Sequence, residues 1–461
     1  MSNASFFSNH DTIVAVATAA GKGAIAVIRL SGLQAVQIAN SVFKGKDLRT
    51  QASHTIHFGT IRDGARLVDE VLVSLFLAPH SYTKENVVEI SCHGSDYIVQ
   101  EIIKLLLKNG ARLAQAGEFT KRAFLNGQFD LAQAEAVADL IAADSSKSHE
   151  VALKQMRGGF SAEIKALRAQ LIHFASLIEL ELDFGEEDVE FADRSALENL
   201  IHELQRLIRN LLQSFALGNV IKNGVPTVIV GKPNAGKSTL LNVLLNEEKA
   251  IVSDVPGTTR DFIEDETSIE GISFRFIDTA GLRETQDKVE AIGVERSRQK
   301  IEEAALIIYL FDVNELTPAD LALELQSLNS NGKPVLAVAN KVDLASNLNQ
   351  AAYEAVTPIL FIAAADKTGI ELLKEKLIST VNQGNLNTGS STIVTNLRHY
   401  TSLEQTYQAL DAVLQGLSTG ISGDFLAADI RRALYALGEI TGDITTDDLL
   451  ENIFSKFCIG K

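Results

Sequence analysis

Eight consecutive residues, Gly231-Lys-Pro-Asn-Ala-Gly-Lys-Ser238, constrain this chain more than any other stretch. They follow an apolar β-branched run (Val228, Ile229, Val230) and open an apolar helical pattern at Ser238. G-x-x-x-x-G-K-S between a strand and a helix is a phosphate-binding loop. Glycines let backbone N–H groups close around phosphate oxygens, and the helix N-terminus adds partial positive charge. In that setting Lys237 is expected to reach the β- and γ-phosphates and Ser238 to ligate Mg²⁺. A Gly-rich turn without a ligand is the competing reading, and the strand-to-helix context argues against it.

The base follows from two further apolar runs. Residues 307–312 and 335–340 read as buried parallel strands, and the second leads into Asn340-Lys341-Val342-Asp343. A carboxylate at Asp343 accepts both N1–H and the exocyclic N2–H₂ of guanine. Facing adenine it would be left unpaired, at a cost of about 1–3 kcal/mol. Between these motifs, Phe276-Ile277-Asp278-Thr279-Ala280-Gly281 reads as a strand ending in an Asp suited to hold Mg²⁺ through water and a Gly able to meet the γ-phosphate. Together with Gly257-Thr258-Thr259-Arg260-Asp261, these elements resemble the GTPase superfamily over residues 221–386. The resemblance implies GTP contacts at Asn234, Ala235, Gly236, Lys237, Ser238, Thr239, Ser253, Thr258, Thr259, Asp278, Thr279, Ala280, Gly281, Asn340, Lys341, Asp343, Ala363, Ala364 and Ala365. One departure is Ala363-Ala364-Ala365, where GTPases carry Ser-Ala-Lys, so guanine contact there is expected to rest on backbone.

Catalysis cannot follow the Ras pattern. Leu282 follows Gly281 where Ras-like proteins carry the Gln that orients the attacking water. Leucine neither polarises nor positions water. Carboxylates in the next segment, Glu284 and Glu290, are the candidates to replace it, and solvated acids at a helix start are the plainer reading of both.

The chain's 461 residues allow about two to four domains. Hydrophobic content of 46% marks a globular chain rather than a disordered one. No apolar run approaches a membrane span, and the first residues lack a basic region and an apolar core. Two distant cysteines, Cys92 and Cys458, give neither a disulfide framework nor a zinc site, so a cytoplasmic protein is expected. A net charge of −17 means that nucleic acid would be held through a local basic patch or a partner.

Taken in order, residues 12–18 and 24–30 read as two strands around a glycine turn, and residues 31–43 have helical spacing. Residues 55–61 and 67–77 flank Asp63-Gly64 as a hairpin, residues 86–92 add a strand, and residues 97–108 form an amphipathic helix. This predicts an α+β domain with a mostly antiparallel sheet. His93-Gly94 invites a catalytic reading, but a lone His is more often structural. Beyond Gly117 the chain turns helical. The Ala- and Leu-rich pattern from Leu131 continues through Leu167, Leu171, Phe174, Leu177 and Leu180, which predicts one long helix. Residues 185–190 break it with an acidic turn, and residues 196–217 form another helix ending at Gly218. Helical patterns return at residues 397–417, 425–437 and 447–454. The expected fold is an α/β P-loop GTPase domain (221–386) inserted into an all-helical bundle (121–220 with 387–461). An α+β N-terminal domain (1–120) precedes it.

Thr12-Ile-Val-Ala15, Gly117-Glu-Phe-Thr120, Arg122-Ala-Phe-Leu-Asn126, Asp130-Leu-Ala-Gln-Ala-Glu135, the GTPase core and the terminal Phe457-Cys-Ile-Gly-Lys461 together resemble the MnmE (TrmE) family. The resemblance runs along the whole chain. It implies a K⁺-dependent GTP hydrolase that dimerises through its N-terminal domain. With the flavoprotein MnmG (GidA), such a protein installs the aminomethyl or carboxymethylaminomethyl group on the wobble uridine of certain tRNAs. FAD and NADH would belong to that partner, and tRNA would be met mainly through the complex. The resemblance makes Glu290 the first choice for water handling and Glu284 the second. It implies K⁺ ligands at Asn234, Ser253, Val255 and Thr258, and Mg²⁺ ligands at Ser238 and Thr259. It implies a site for 5-formyltetrahydrofolate or a related one-carbon folate at Arg29, Glu89, Gln128 and Lys461. Gln128 departs from the basic residue usual in the family and cannot neutralise a folate carboxylate. Arg29 inside an apolar strand also calls for an anionic partner on physical grounds. Cys458 is a candidate for the uridine chemistry, with a small buried thiol as the alternative. A regulatory GTPase with no one-carbon or tRNA chemistry is the rival class. A ribosome-assembly GTPase is disfavoured by the −17 charge.

Overall fold

The structure, a computed structural model, describes residues 11–183, 194–246, 265–277, 301–328, 333–345, 348–383, 392–419, 421 and 423–460. It divides into two compact units. Of the described residues, those up to Ala138, Gln155–Ala169 and those from Leu437 onward form the first, and Asp139–Lys154 with Gln170–Ala436 form the second.

The first unit is built on a seven-stranded sheet of order β3-β4-β5-β6-β2-β1-β7. Its strands are β1 (Thr12–Val16), β2 (Ile25–Ser31), β3 (Phe43–Lys44), β4 (Thr55–Asp63), β5 (Arg66–Phe76), β6 (Val87–His93) and β7 (Ala111–Leu113). The pairings are antiparallel except β1–β7, so the sheet is mostly antiparallel, as expected from the sequence. Period-two alternation sets the faces: in β5, Val71, Val73 and Leu75 are buried while Glu70 and Leu72 are exposed. Helices α1 (Ala35–Val42) and α2 (Asp96–Lys108) cover the buried face around Val14, Ile28, Leu30, Ile90 and Leu106. The hairpin turn at Gly64 (φ +60°) is the left-handed position that a tight β4–β5 connection demands. On the opposite face, Ile13 and Ala15 of β1 pack with Ala114 and with Phe119 of α3 (Glu118–Leu125).

The single long helix expected from Leu131 onward is a wrong reading. The chain makes three: α4 (Leu131–Ala142), α5 (Ser146–Met156) and α6 (Gly159–Asp183). Two local devices cut it. Ser145 and Ser148 bond reciprocally, each Oγ accepting the other's amide (3.2 and 3.1 Å), which caps α5. Gly158 then takes a left-handed conformation (φ +84°) that starts a new axis. The stripe that α6 buries is Phe160, Ile164, Leu167, Leu171, Ala175 and Ile178, so Leu167 and Leu171 lie in it as their spacing suggested. The Asp447–Phe454 helix packs Leu450, Ile453 and Phe454 against Leu131 and Ala134, and the chain beyond it bridges Ile459 to Ala116.

The second unit holds a six-stranded sheet of order β13-β12-β11-β8-β10-β9, parallel except for the β9–β10 hairpin. The strands are β8 (Val225–Val230), β9 (Asp265–Ile269), β10 (Ile272–Phe276), β11 (Leu306–Asp312), β12 (Val335–Asn340) and β13 (Ile359–Phe361). All seven residues of β11 are buried, as a central parallel strand requires. Helix α7 (Arg194–Asn223) precedes the sheet, and α8 (Lys237–Asn246) follows β8. The Leu397–Thr419 helix, from beyond the sheet in sequence, packs along α7: Phe215 meets Tyr400 at 4.7 Å between ring centroids, and Arg209 lies 5.5 Å over the Tyr407 ring. Helices from both flanks therefore join, which is what insertion of the α/β domain between them requires.

Helix α7 does not stop at Gly218. It runs on to Asn223, and the left-handed residue that ends it is Gly224 (φ +71°). Gly218 has a packing role instead: a Cβ there would lie 2.0 Å from the Val394 carbonyl oxygen. Beside it, Ser214 Oγ accepts the Val394 amide at 3.0 Å. No helix among the described residues is long and apolar enough to cross a membrane.

Candidate functional site

Between β8 and α8 the chain turns through Gly231–Gly236 with almost no clearance. A Cβ on Gly231 (φ +154°) would sit 1.9 Å from the Leu310 carbonyl oxygen, and one on Gly236 (φ +96°) 2.3 Å from Asn340 Nδ2. Both positions admit only glycine. Asn234 is exposed and left-handed (φ +64°) within the same loop. Lys237 folds back over it, donating from Nζ to the carbonyls of Gly231 (2.7 Å) and Lys232 (2.8 Å). Burial lowers the Lys237 pKa, so this ammonium is poorly solvated, and among the described residues its hydrogen bonds go to carbonyls rather than to a carboxylate. A phosphate fits there. Ser238 and Thr239 lie in the first turn of α8, where N–H groups and the helix dipole favour an anion.

Asn340 ties this loop to the far side of the site. Its Nδ2 donates to the Ala235 carbonyl at 2.8 Å and its Oδ1 accepts the Ala364 amide at 3.0 Å. Lys341 follows in a left-handed conformation (φ +63°), and Asp343 is exposed in a short 3₁₀ turn, Val342–Leu344. Ala363 is paired through its backbone with Thr368, and Ala365 is exposed. Asn340 thus bonds Ala235 and Ala364 and lies against Gly236, while Lys237 bonds the first two residues of the same loop, which also carries Asn234. Ser253, Val255, Thr258, Thr259, Asp278, Thr279, Ala280, Gly281, Leu282, Glu284 and Glu290 lie outside the described residues. Among the described residues, no group of three or more His, Cys, Asp or Glu side chains gathers as a metal site. Mg²⁺ needs no such cage: one or two protein ligands plus phosphate oxygens and water suffice, and Ser238 suits that donor set.

A second cluster lies in the first unit. Arg29 and Glu89 are cross-strand partners on β2 and β6, with Arg29 Nε and Nη2 each 2.8 Å from Glu89 Oε1. The guanidinium lies 5.7 Å from the Tyr82 ring centroid and 5.8 Å from that of Phe119, and its Nη1 is 3.5 Å from the Gly460 carbonyl oxygen. The anionic partner that Arg29 calls for is therefore Glu89. The chain end reaches this place because Gly117 N donates to the Cys458 carbonyl (3.3 Å) and Gly460 passes so close to Val16 that a Cβ would lie 2.1 Å from its oxygen. Lys461 lies outside the described residues. Gln128 is exposed beyond α3, and no hydrogen bond joins it to Arg29 or Glu89 among the described residues. Cys458 is exposed rather than the small buried thiol of the alternative reading. His93 has a structural use: both its amide and Nδ1 bond the buried Asp69 carboxylate, at 2.8 and 2.7 Å.

The MnmE helical domain family matches residues 131–458, and the family described as GTP-binding protein TrmE N-terminus matches residues 12–128. The chain belongs to the MnmE family of tRNA modification GTPases. It is similar to the tRNA modification GTPase MnmE of Cytophaga hutchinsonii, at 59% identity over 461 residues that cover 100% of both chains. The MnmE of Flavobacterium psychrophilum is 55% identical, covering 98% of this chain and 99% of its own, and that of Bacteroides fragilis is 51% identical, covering 98% and 100%. As an MnmE GTPase, the chain hydrolyses GTP in the service of tRNA modification.

Sequence reasoning missed several residues that this MnmE chain brings to the two places. Asp312 and Asn314 grip Lys341, and Tyr82 and Phe119 flank Arg29. A signal for the first existed, since a carboxylate closing an all-apolar strand must have a partner. No spacing could have found the aromatic pair.

Proposed function

We propose that GTP turnover in this chain is stimulated by K⁺ and, with a flavoprotein partner of the MnmG kind, drives installation of the (carboxymethyl)aminomethyl group on the wobble uridine of certain tRNAs. The observation that carries the reading is Asn234, exposed and left-handed in the phosphate loop that Lys237 crosses. Its carbonyl is a neutral oxygen available to a monovalent cation. Phosphoryl transfer needs positive charge beside the leaving oxygens, which Ras-like proteins receive from a partner's arginine. Here Asn234, Ser253, Val255 and Thr258 would hold K⁺ in that role, and Ser238 and Thr259 would hold Mg²⁺. Lys237 binds the β- and γ-phosphates, Asp343 accepts from guanine, and Glu290 positions the water that Leu282 cannot.

The N-terminal domain would take a one-carbon folate between Arg29 and Glu89. A cation, a carboxylate and two aromatic faces suit a flat heterocycle that carries donors and an anionic tail. Gln128 and Lys461 would complete the contacts, and exposed Cys458 would serve the uridine chemistry. The chain would act in the cytoplasm as a homodimer joined through its N-terminal domain, with the domains at 1–120, 121–220 with 387–461, and 221–386. FAD and NADH would remain on the partner.

The test is GTP turnover in KCl against NaCl, with and without the flavoprotein. K⁺ is expected to stimulate and Na⁺ not to, because ligand number and cavity size select the larger ion. Asn234→Ala is expected to lose the K⁺ response while still binding GTP. Equal rates in the two salts would remove the cation role, and calorimetry without a folate signal would favour a purely regulatory GTPase.

A further inference from the structure

Asp312 closes β11, a strand buried along its whole length, and is itself 8% exposed. A carboxylate at such a place needs full satisfaction. It has it: Lys341 Nζ lies 2.8 Å from Oδ2, while Oδ1 accepts the Asn314 amide at 2.9 Å and Asn314 Nδ2 at 3.0 Å. Burial alone would raise its pKa, yet these donors hold it below the ordinary carboxylate value, so it is ionised at neutral pH. Asn314 Nδ2 also reaches the Lys341 carbonyl at 3.3 Å, and the Val313 amide donates to the Asn340 carbonyl at 3.2 Å. Both ends of Lys341, ammonium and carbonyl, are thereby fixed from the end of β11 and the turn that follows it. They hold it in a left-handed backbone that lysine rarely adopts.

We propose that Asp312 is a positioning residue for the nucleotide base: by anchoring the Lys341 ammonium, it holds the methylene stem of Lys341 as an apolar bar beside Asp343, against which the purine face lies. An unanchored lysine would carry its charge into water and lose rotamer freedom on each binding event. An anchored one presents its stem ready-made. This inference rests on reading Asp343 as the guanine acceptor. Asp312 touches no nucleotide and acts through Lys341 alone.

The experiment uses the full-length protein and a fluorescent GDP analogue, with steady-state GTP hydrolysis alongside. Asp312→Asn is expected to raise the GDP Kd and the KM for GTP about tenfold, with kcat changed less than about twofold, a size in keeping with coupled contact pairs. Lys341→Met is expected to weaken binding similarly, and the double variant to be no worse than either alone. Asp312→Glu, which keeps the charge, is expected to recover part of the affinity. Unchanged Kd in Asp312→Asn with a lowered melting temperature would overturn the proposal, as would additive losses in the double variant. Should Asp312→Asn fail to fold, Asp312→Glu and Lys341→Met carry the test, and Asn314→Ala, which removes only the side-chain bonds to Asp312 Oδ1 and the Lys341 carbonyl, is expected to raise the GDP Kd by a smaller factor. Asp343→Asn separates the two readings. A switch from guanosine to xanthosine nucleotides upholds the base site, so that normal binding by the Asp312 variants would sink the positioning role alone. A retained guanosine preference removes the base site and the positioning role with it.

Discussion

The side chain of Asn340 spans the nucleotide site and takes hold of Ala235, its Nδ2 donating 2.8 Å to the carbonyl at the middle of the phosphate loop. Ala235 is 1% exposed and Asn340 2%, so water cannot replace the bond. Asn340→Asp sets a carboxylate oxygen against that carbonyl. It is expected to cost about 1–3 kcal/mol for the unsatisfied buried group and to weaken GTP and GDP together. Thermal melts and nucleotide titrations read the two effects, and a variant with normal melting and normal affinity would show that the bond organises nothing.

Glu290→Ala is expected to leave GTP affinity within a few-fold and to lower turnover by ~10²-fold or more, the size of a general acid–base contribution. If Glu284→Ala proves the damaging change, water handling belongs to that residue instead. Single-turnover hydrolysis at saturating GTP decides between them.

Arg29→Ala is expected to abolish binding of 5-formyltetrahydrofolate, since it removes the cation set between Glu89 and the two rings. GTP hydrolysis by the separate α/β domain should survive. Gln128→Lys is expected to tighten folate binding by restoring a charge for the carboxylate tail. Calorimetry showing neither effect would move the folate site elsewhere.

Acid should reach the first unit through one ion network. Arg112 Nη2 lies 2.6 Å from Glu118 Oε1, Arg112 Nε 2.7 Å from Asp11 Oδ2, and Arg122 Nη2 2.5 Å from Asp11 Oδ1. Burial pushes the Glu118 and Asp11 carboxyls up, but the arginines more than offset it and leave both below their ordinary values. A carboxylate whose folded pKa is depressed contributes stability above its unfolded pKa and loses it as pH falls through the folded one. The network should therefore hold at neutral pH and give way only below about pH 4. Glu118→Gln is expected to melt well below the parent at pH 7, with the gap closing toward pH 3. A gap independent of pH would mean that Glu118 acts through shape rather than charge.

Much of this molecule is legible in its sequence. The loop at Gly231–Ser238 declared itself because close backbone approach leaves only glycine at two of its positions. The β4–β5 hairpin followed from Asp63-Gly64, and β11 and β12 from apolar runs too short for helices. Where reading failed, the deciding contact lay far along the chain or hid inside a plausible period. Gly218 looks like a helix stop, but it is glycine because Val394 passes over it. The apolar spacing from Leu131 to Leu180 is continuous in period, while a serine pair and Gly158 break the axis beneath it. Asp312 could be flagged as needing a partner. That the partner is Lys341 emerges only when β11 and β12 lie side by side.

The contact between Arg29 and the Gly460 carbonyl joins positions 431 residues apart. On the ribosome, the sheet that carries Arg29 and Glu89 can emerge and pair long before residue 460 has been synthesised. The place between them nevertheless stays unfinished until translation has passed that residue. A chain without residues 458–460 would keep its sheet and its phosphate loop while leaving the Arg29 recess open on one side. The loss of these late residues is thus felt on a strand laid down near the start.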